Sequence, residues 1–260
     1  MRELLAGMSP HLGVKKGATG YARGAPQSSR PADSHEEREM ESNSGRIKVL
    51  VFASGDETGG GSGFQELVEF SRTNPPVLNA QIIGVISNHP QGGVRKRADA
   101  LDIPFEYWSG PFDAKGYRTF VEKYQADFVM CSGWLKFVRG LDPSKTVNIH
   151  PGQLPQFGGP RMYGHYVHEA VMAAYHRGEI IQSAVTMHFV DETAYDHGPI
   201  IFQMPVLIRP DDDAETLAKR VNEKERAWQS YILNLVVHRH IYLSHGQVFY
   251  ESDVPKRLFY

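Results

Sequence analysis

From residue 46 onward, apolar runs short enough for buried strands alternate with segments whose apolar residues recur every three or four positions. This alternation narrows the available folds more than any other feature of the chain. I-K-V-L-V-F-A precedes a glycine-rich loop and the helical stretch F-Q-E-L-V-E-F-S-R. A-Q-I-I-G-V-I-S-N precedes V-R-K-R-A-D-A-L, and F-E-Y-W precedes K-G-Y-R-T-F-V-E-K-Y. A-D-F-V-M-C-S-G-W leads on to T-V-N-I-H. Strand and helix in that rhythm make βαβ units. The expected fold is α/β: a Rossmann-like open, mostly parallel twisted sheet with helices on both faces. After it come a helix over M-Y-G-H-Y-V-H-E-A-V-M-A-A-Y and two strands, S-A-V-T-M-H-F-V and P-I-I-F-Q-M-P-V-L-I. A long helix spans about residues 213–240, and G-Q-V-F-Y makes a last strand. With no internal repeat and no second linker, residues 46–260 read as one domain.

Residues 1–45 differ in texture. They are rich in Ser, Gly, Pro and charge and poor in aromatics, too little apolar material to offset the entropy of ordering. They are expected to be a disordered extension, without the apolar centre of a secretory signal and too acidic for an organellar transit peptide. The formal charge of -2 gives no pull toward nucleic acid or an anionic membrane. No apolar run approaches the roughly 18 residues needed to cross a bilayer. The one cysteine, Cys131, leaves no internal disulfide and suits a reducing compartment, by default the cytoplasm. Cys131 sits in an apolar strand and reads as core.

Ligands of open α/β sheets bind beyond the carboxyl ends of the strands. Three loops there carry unusual chemistry: 54–63, 148–159 and 190–198. The first, S-G-D-E-T-G-G-G-S-G-F-Q, runs from a strand into a helix. Its free N–H groups and the positive end of the helix suit an anion, placed near Gly61, Ser62 and Gly63. The loop is neither G-x-G-x-x-G nor a P-loop, because no Lys follows Gly63. In the second, N-I-H-P-G, Asn148 and His150 are two apart on an extended chain and project to one side. The third ends in Asp196, which could orient and charge His150 if the loops adjoin. An amide, an imidazolium and a carboxylate together suit acyl transfer to nitrogen through an oxyanion. His165 and His168 lie three apart on a helix, but no Cys or carboxylate cluster joins them, so a metal is not expected. Arg97, in R-K-R, could meet an acidic cofactor.

These segments together carry a resemblance. N-I-H-P-G-Q-L-P-Q-F-G-G is similar to the N-I-H-P-S-L-L-P-x-F-x-G signature of the glycinamide ribonucleotide formyltransferases, folate-dependent enzymes of purine synthesis. V-T-M-H-F-V with D-H-G-P-I-I-F-Q resembles their second signature. G-G-G-S-G-F-Q stands where they have G-x-G-S-N-L-Q, S-G-W-L-K-F-V is similar to G-F-M-R-I-L, and R-V-N-E-K-E-R-A matches a helix whose Glu meets a ribose. The likeness implies formyl transfer from 10-formyltetrahydrofolate to the amine of glycinamide ribonucleotide, without metal, nucleic acid or membrane, by a monomer or homodimer. It implies Asn148, His150 and Asp196 as the catalytic trio and Gly61, Ser62 and Gly63 at the phosphate. Glu225 would sit at the ribose, and Gly133, Trp134, Leu135, Lys136 and Phe137 would hold the pterin with part of the 190–196 loop. His188 would be a supporting residue. Transfer to an amino sugar nucleotide, or ligand binding without turnover, are the alternatives.

The chain departs from the pattern at several points. Gly63 replaces an Asn, D-E-T-G lengthens the first loop, and Gln229 and Ser230 stand where I-Y-P is usual. The loop before Asp196 is one residue longer, and the stretch G-G-P-R-M-Y-G-H-Y-V-H-E-A-V is extended as in a bacterial subgroup.

Overall fold

Valine- and isoleucine-rich segments with nowhere to present a polar face pair side by side at the centre of the molecule. The computed structural model describes residues 45–57, 59–252 and 254. The expectation of disorder for residues 1–45 lies outside that range, save Gly45. Arg46–Tyr260 is one compact unit.

The strands are β1 (Lys48–Phe52), β2 (Gln81–Ser87), β3 (Phe105–Tyr107), β4 (Phe128–Ser132), β5 (Thr146–His150), β6 (Gln182–Phe189) and β7 (Ile200–Leu207). They lie in the order β3-β2-β1-β4-β5-β6-β7. The first five are parallel, whereas β6 runs antiparallel to β5 and β7 antiparallel to β6. The helices are α1 (Ser62–Ser71), α2 (Gly93–Ala100), α3 (Ala114–Tyr124), α4 (His165–His176) and α5 (Ala214–Val237).

Side chains alternate along β1 and feed two cores. Val49 and Val51 join Phe64 and Leu67 of α1, Val94 of α2, Val171 of α4 and Val221 of α5. On the opposite face Leu50 and Phe52 meet Tyr117 and Phe120 of α3, with Trp108 and Trp134. Phe52 packs edge-on to Trp134 at 5.4 Å, and the Trp134 indole N–H donates to Tyr117 Oη at 2.8 Å, so this large ring is anchored at both ends.

Helix α5 begins sharply. The Asp213 carboxylate accepts from Thr216 N at 2.7 Å, and Thr216 Oγ1 accepts from Asp213 N at 2.9 Å, a reciprocal cap for otherwise unpaired first-turn groups. The helix ends at Val237, before the expected limit near His240, because Arg239 turns to φ 63°. Just beyond it lies a strand absent from the sequence reading, β8 (Ile241–Ser244). It pairs with β9 (Gln247–Tyr250) across His245 and Gly246, both at positive φ. Helix α4 likewise begins at His165 rather than Met162, since Gly164 takes φ 52° and ψ -129°. Among the described residues no helix is long and apolar enough to cross a membrane.

Candidate active site

The loops after β1, β4 and β5 leave the carboxyl ends of parallel strands. The 190–199 loop does not, which corrects the sequence reading: β6 runs opposite to β5, so its loop departs from the end where β5 begins. The loop then doubles back over the sheet. Gly198 makes this possible, because a Cβ there would collide with the Phe189 carbonyl. Asp196 takes φ 55°, a left-handed conformation Asp tolerates better than most residues, and its Oδ2 accepts from Gly159 N at 3.1 Å.

The doubling back assembles the expected trio. Asp196 Oδ2 lies 3.6 Å from His150 Nδ1. Oδ1 lies 3.4 Å from Asn148 Nδ2. His188 is directly across the ladder from Asn148 and completes a tight set. Its Nδ1–H donates to the Phe189 carbonyl at 2.8 Å, which leaves Nε2 to accept from Asn148 Nδ2 at 3.0 Å. Both Asn148 amide hydrogens are therefore engaged, one firmly on His188 and one weakly on Asp196.

His150 is 4% exposed. A carbonyl can only accept, so His150 Nε2–H donates to Phe157 O at 2.7 Å. Burial pushes the imidazole pKa below its ordinary value, against the opposing influence of Asp196 and Phe157. The sequence reading had Asp196 keeping His150 charged; in the free protein desolvation wins and the ring is neutral near pH 7. Its Nδ1 lone pair then faces the carboxylate, a vacant proton position between two acceptors. Burial alone would raise the Asp196 carboxyl, but the donors around it, Gly159 N–H among them, hold it below the usual carboxylate range.

Two cavities flank the trio. One, about 640 Å³, is lined by Gly55, Asp56 and Gly60, by Asn148 and His150, and by Asn222 and Glu225 of α5, among others. Glu225 is half-buried; burial pushes its carboxyl up to about 7, and Asn222 Nδ2 donates to it at 3.3 Å. Gly61, Ser62 and Gly63 open α1 immediately behind Gly60. No side chain caps this helix and its first turn holds no acid. The second cavity, about 40 Å³, lies between Trp134, Lys136, Phe137 and the 190–196 loop, where Phe137 and Tyr195 pack at 4.8 Å. Gly133, Trp134 and Leu135 also line the larger cleft, so the 133–137 stretch borders both. Leu135 N is fixed by Ser54 Oγ at 2.9 Å.

Arg97 is not with that stretch. It reaches Gly60 O at 3.1 Å and Gln65 Oε1 at 2.9 Å and braces the glycine-rich loop. His165 pairs with Glu169 at 3.1 Å on the surface. His168 faces the cleft instead, buried, with its Nδ1 unpartnered among the described residues and its pKa pushed down to about 4 by burial. The sequence reading weighed His168 only as a metal ligand beside His165, found no cluster to join them, and missed this neutral cleft histidine. The 151–155 loop is tied down by Thr186 Oγ1 donating to Gly152 O at 2.7 Å and Gln203 Nε2 to Leu154 O at 3.2 Å. Burial pushes the Cys131 thiol up to about 12, which leaves it inert core.

The sequence profile of the formyl transferase family matches residues 47–233. The chloroplastic phosphoribosylglycinamide formyltransferase of Arabidopsis thaliana is 34% identical over 191 residues, covering 69% of this chain and 62% of that protein. Its Vigna unguiculata counterpart is 33% identical over 228 residues, covering 83% of this chain and 69% of that protein. The chain thus spans about two thirds of these plant proteins. The crystal structure of phosphoribosylglycinamide formyltransferase from Anaplasma phagocytophilum superposes with a TM-score of 0.65 at 26% identity, covering 82% of this chain and 98% of that one.

Proposed function

This chain belongs to the formyl transferase family, and from that premise we propose that it transfers the formyl group of 10-formyltetrahydrofolate to the primary amine of glycinamide ribonucleotide, a step of purine assembly. The observation that carries the reading is the meeting of Asn148, His150 and Asp196 between two cavities, although Asp196 arrives 46 residues downstream on a loop from the opposite end of the sheet. The larger cleft takes the ribonucleotide. Glu225 accepts from the ribose hydroxyls, and the uncapped start of α1 at Gly61, Ser62 and Gly63 receives the phosphate. Arg97 acts there by bracing Gly60. The pterin lies against Gly133, Trp134, Leu135, Lys136 and Phe137, where that stretch borders both cavities.

The neutral amine attacks the formyl carbon. A C–N bond forms and the carbonyl electrons move onto oxygen. Asn148 exchanges its weak 3.4 Å contact with Asp196 for the oxyanion and keeps its bond to His188. The proton leaving the attacking nitrogen goes, through water, to the vacancy between Asp196 and His150 Nδ1. The imidazolium so formed stands beside the oxyanion. Collapse of the intermediate breaks the bond to the folate nitrogen, which takes the proton. Each such device is worth roughly a hundred- to a thousandfold in rate. A single buried cysteine suits a reducing compartment, and the cytosol is the proposed location.

The test monitors absorbance as 10-formyl-5,8-dideazafolate is deformylated with glycinamide ribonucleotide, with an amino sugar nucleotide, or with no acceptor. Turnover is expected only with the first. Folate binding without turnover on any amine would refute the reading.

A further inference from the structure

Three of the departures from the family pattern, Gly63, Gln229 and Ser230, meet in one buried polar cluster. Gly63 is the second residue of α1, and a Cβ on it would collide with Ser132 Oγ and touch Gln229 Nε2. The missing side chain therefore makes room for Gln229 of α5. The Gln229 Nε2 hydrogens reach Gly63 O at 2.8 Å and Glu66 Oε2 at 2.7 Å, and its Oε1 accepts from Ser132 Oγ at 3.1 Å. The amide is fully used.

A peptide unit is rigid, so gripping the Gly63 carbonyl also aims the N–H of Phe64, which points the opposite way, out of the helix start. That N–H is among the first-turn donors with no partner inside the helix. We propose that Gln229, held by Glu66 and Ser132, is a positioning residue that aims the first-turn N–H groups of α1 at the acceptor's phosphate and so sets acceptor affinity. This rests on the reading that the α1 turn receives that phosphate.

Glu66 decides how well the grip tolerates an anion. It is 7% exposed. Its Oε1 has no partner among the described residues, nor has Ser230 Oγ, although the two side chains adjoin. A proton on Oε1 donates to Ser230 Oγ and satisfies both. Burial raises this carboxyl to about 8, so near pH 7 the cluster is uncharged beneath the turn. The charged groups facing it are Arg226 on α5 and Glu69 on α1, of opposite sign. β4 presents Phe128, Met130 and Ser132 on that side, none of them charged. Above pH 8 a carboxylate forms behind the donors meant for phosphate.

The experiment measures KM for each substrate and kcat from pH 6.5 to 9.5 in the wild type, Gln229→Met and Glu66→Gln. Met keeps the length of Gln229 but makes none of its hydrogen bonds. Losing one such bond typically costs about three- to tenfold in affinity, so acceptor KM is expected to rise by that factor, with formyl-donor KM and kcat held. Gln at 66 mimics the protonated acid, accepting from Gln229 and donating to Ser230. It is expected to keep the wild-type acceptor KM at pH 7 and to abolish the rise above pH 8. Glu225 titrates in the same curves but is unchanged in every protein, so comparison removes it. Gln229→Met with acceptor KM unchanged, or with both KM values and kcat disturbed alike, overturns the proposal, as does a pH profile of Glu66→Gln that follows the wild type. If the wild type does not turn over glycinamide ribonucleotide, the functional reading fails by itself. Calorimetry with ribose 5-phosphate then reads the positioning claim on the same three proteins: unweakened binding to Gln229→Met refutes it, and loss of binding supports it.

Discussion

Replacing Glu66 by Gln should make the protein more stable, increasingly so as pH rises. In the unfolded chain this carboxyl ionises near 4.5; in the folded one burial lifts it to about 8. Between those values the folded state keeps a proton that the unfolded state has released. The unfolded state therefore binds fewer protons, and stability falls with rising pH across that window, by about 1.4 kcal/mol per pH unit. The loss is absent below about 4.5 and complete above about 8, with a ceiling of about 5 kcal/mol; relaxation around a buried charge brings the realistic figure to about 2–3 kcal/mol. Gln carries no charge and escapes the penalty. Urea unfolding of both proteins at pH 5, 7 and 9 should give a stability difference that is smallest at pH 5 and favours the variant by about 2–3 kcal/mol at pH 9, with equal m-values. A difference that is flat across pH would refute the assignment of a protonated buried acid.

Three further outcomes follow from the geometry. Asp196→Asn keeps the side-chain shape but removes the charge beside His150 Nδ1, and kcat should fall roughly a hundred- to ten-thousandfold in the formyl transfer assay with acceptor KM little changed. Because Glu225 sits near 7 and its charged form accepts ribose hydroxyls more strongly, acceptor KM should decline as pH rises through about 7; Glu225→Gln should flatten that limb of the profile. Asp213→Ala removes one side of the α5 cap and should lower stability by about 1 kcal/mol in a denaturant titration, leaving kcat intact.

The seven-stranded sheet was legible because its inner strands are buried on both faces and carry apolar runs too short for helices, broken by Gly and Pro. β8 escaped that rule, since no Gly or Pro separates I-Y-L-S from α5 and only Arg239 at positive φ ends the helix. The N-I-H pair could be placed on one side from strand period alone. Its state could not: the neutral His150 depends on its burial in the folded chain, which no local pattern encodes. Nor could the direction of approach of Asp196, fixed by β6 lying antiparallel to β5. The Glu66–Gln229 cluster joins residues 163 apart. The sequence offered only three odd substitutions, at 63, 229 and 230, without a sign that they were one feature.

Asp196 hangs from the connection between β6 and β7, and β7 is an edge strand, with β6 as its one neighbour in the sheet. Regions with fewest ties open first and at the least cost. Fraying at that margin releases the carboxylate and uncovers only the rim of the larger core, where Ile201, Phe202 and Val206 sit, while the inner strands and the Phe52 core stay shut. On warming, turnover should therefore vanish before circular dichroism registers any melting, and amide protons of β7 should exchange ahead of those in β1 and β4. A ligand bridging the hairpin loop and the 133–137 stretch would pin that margin, so a formyl-folate analogue should close the interval between the two temperatures.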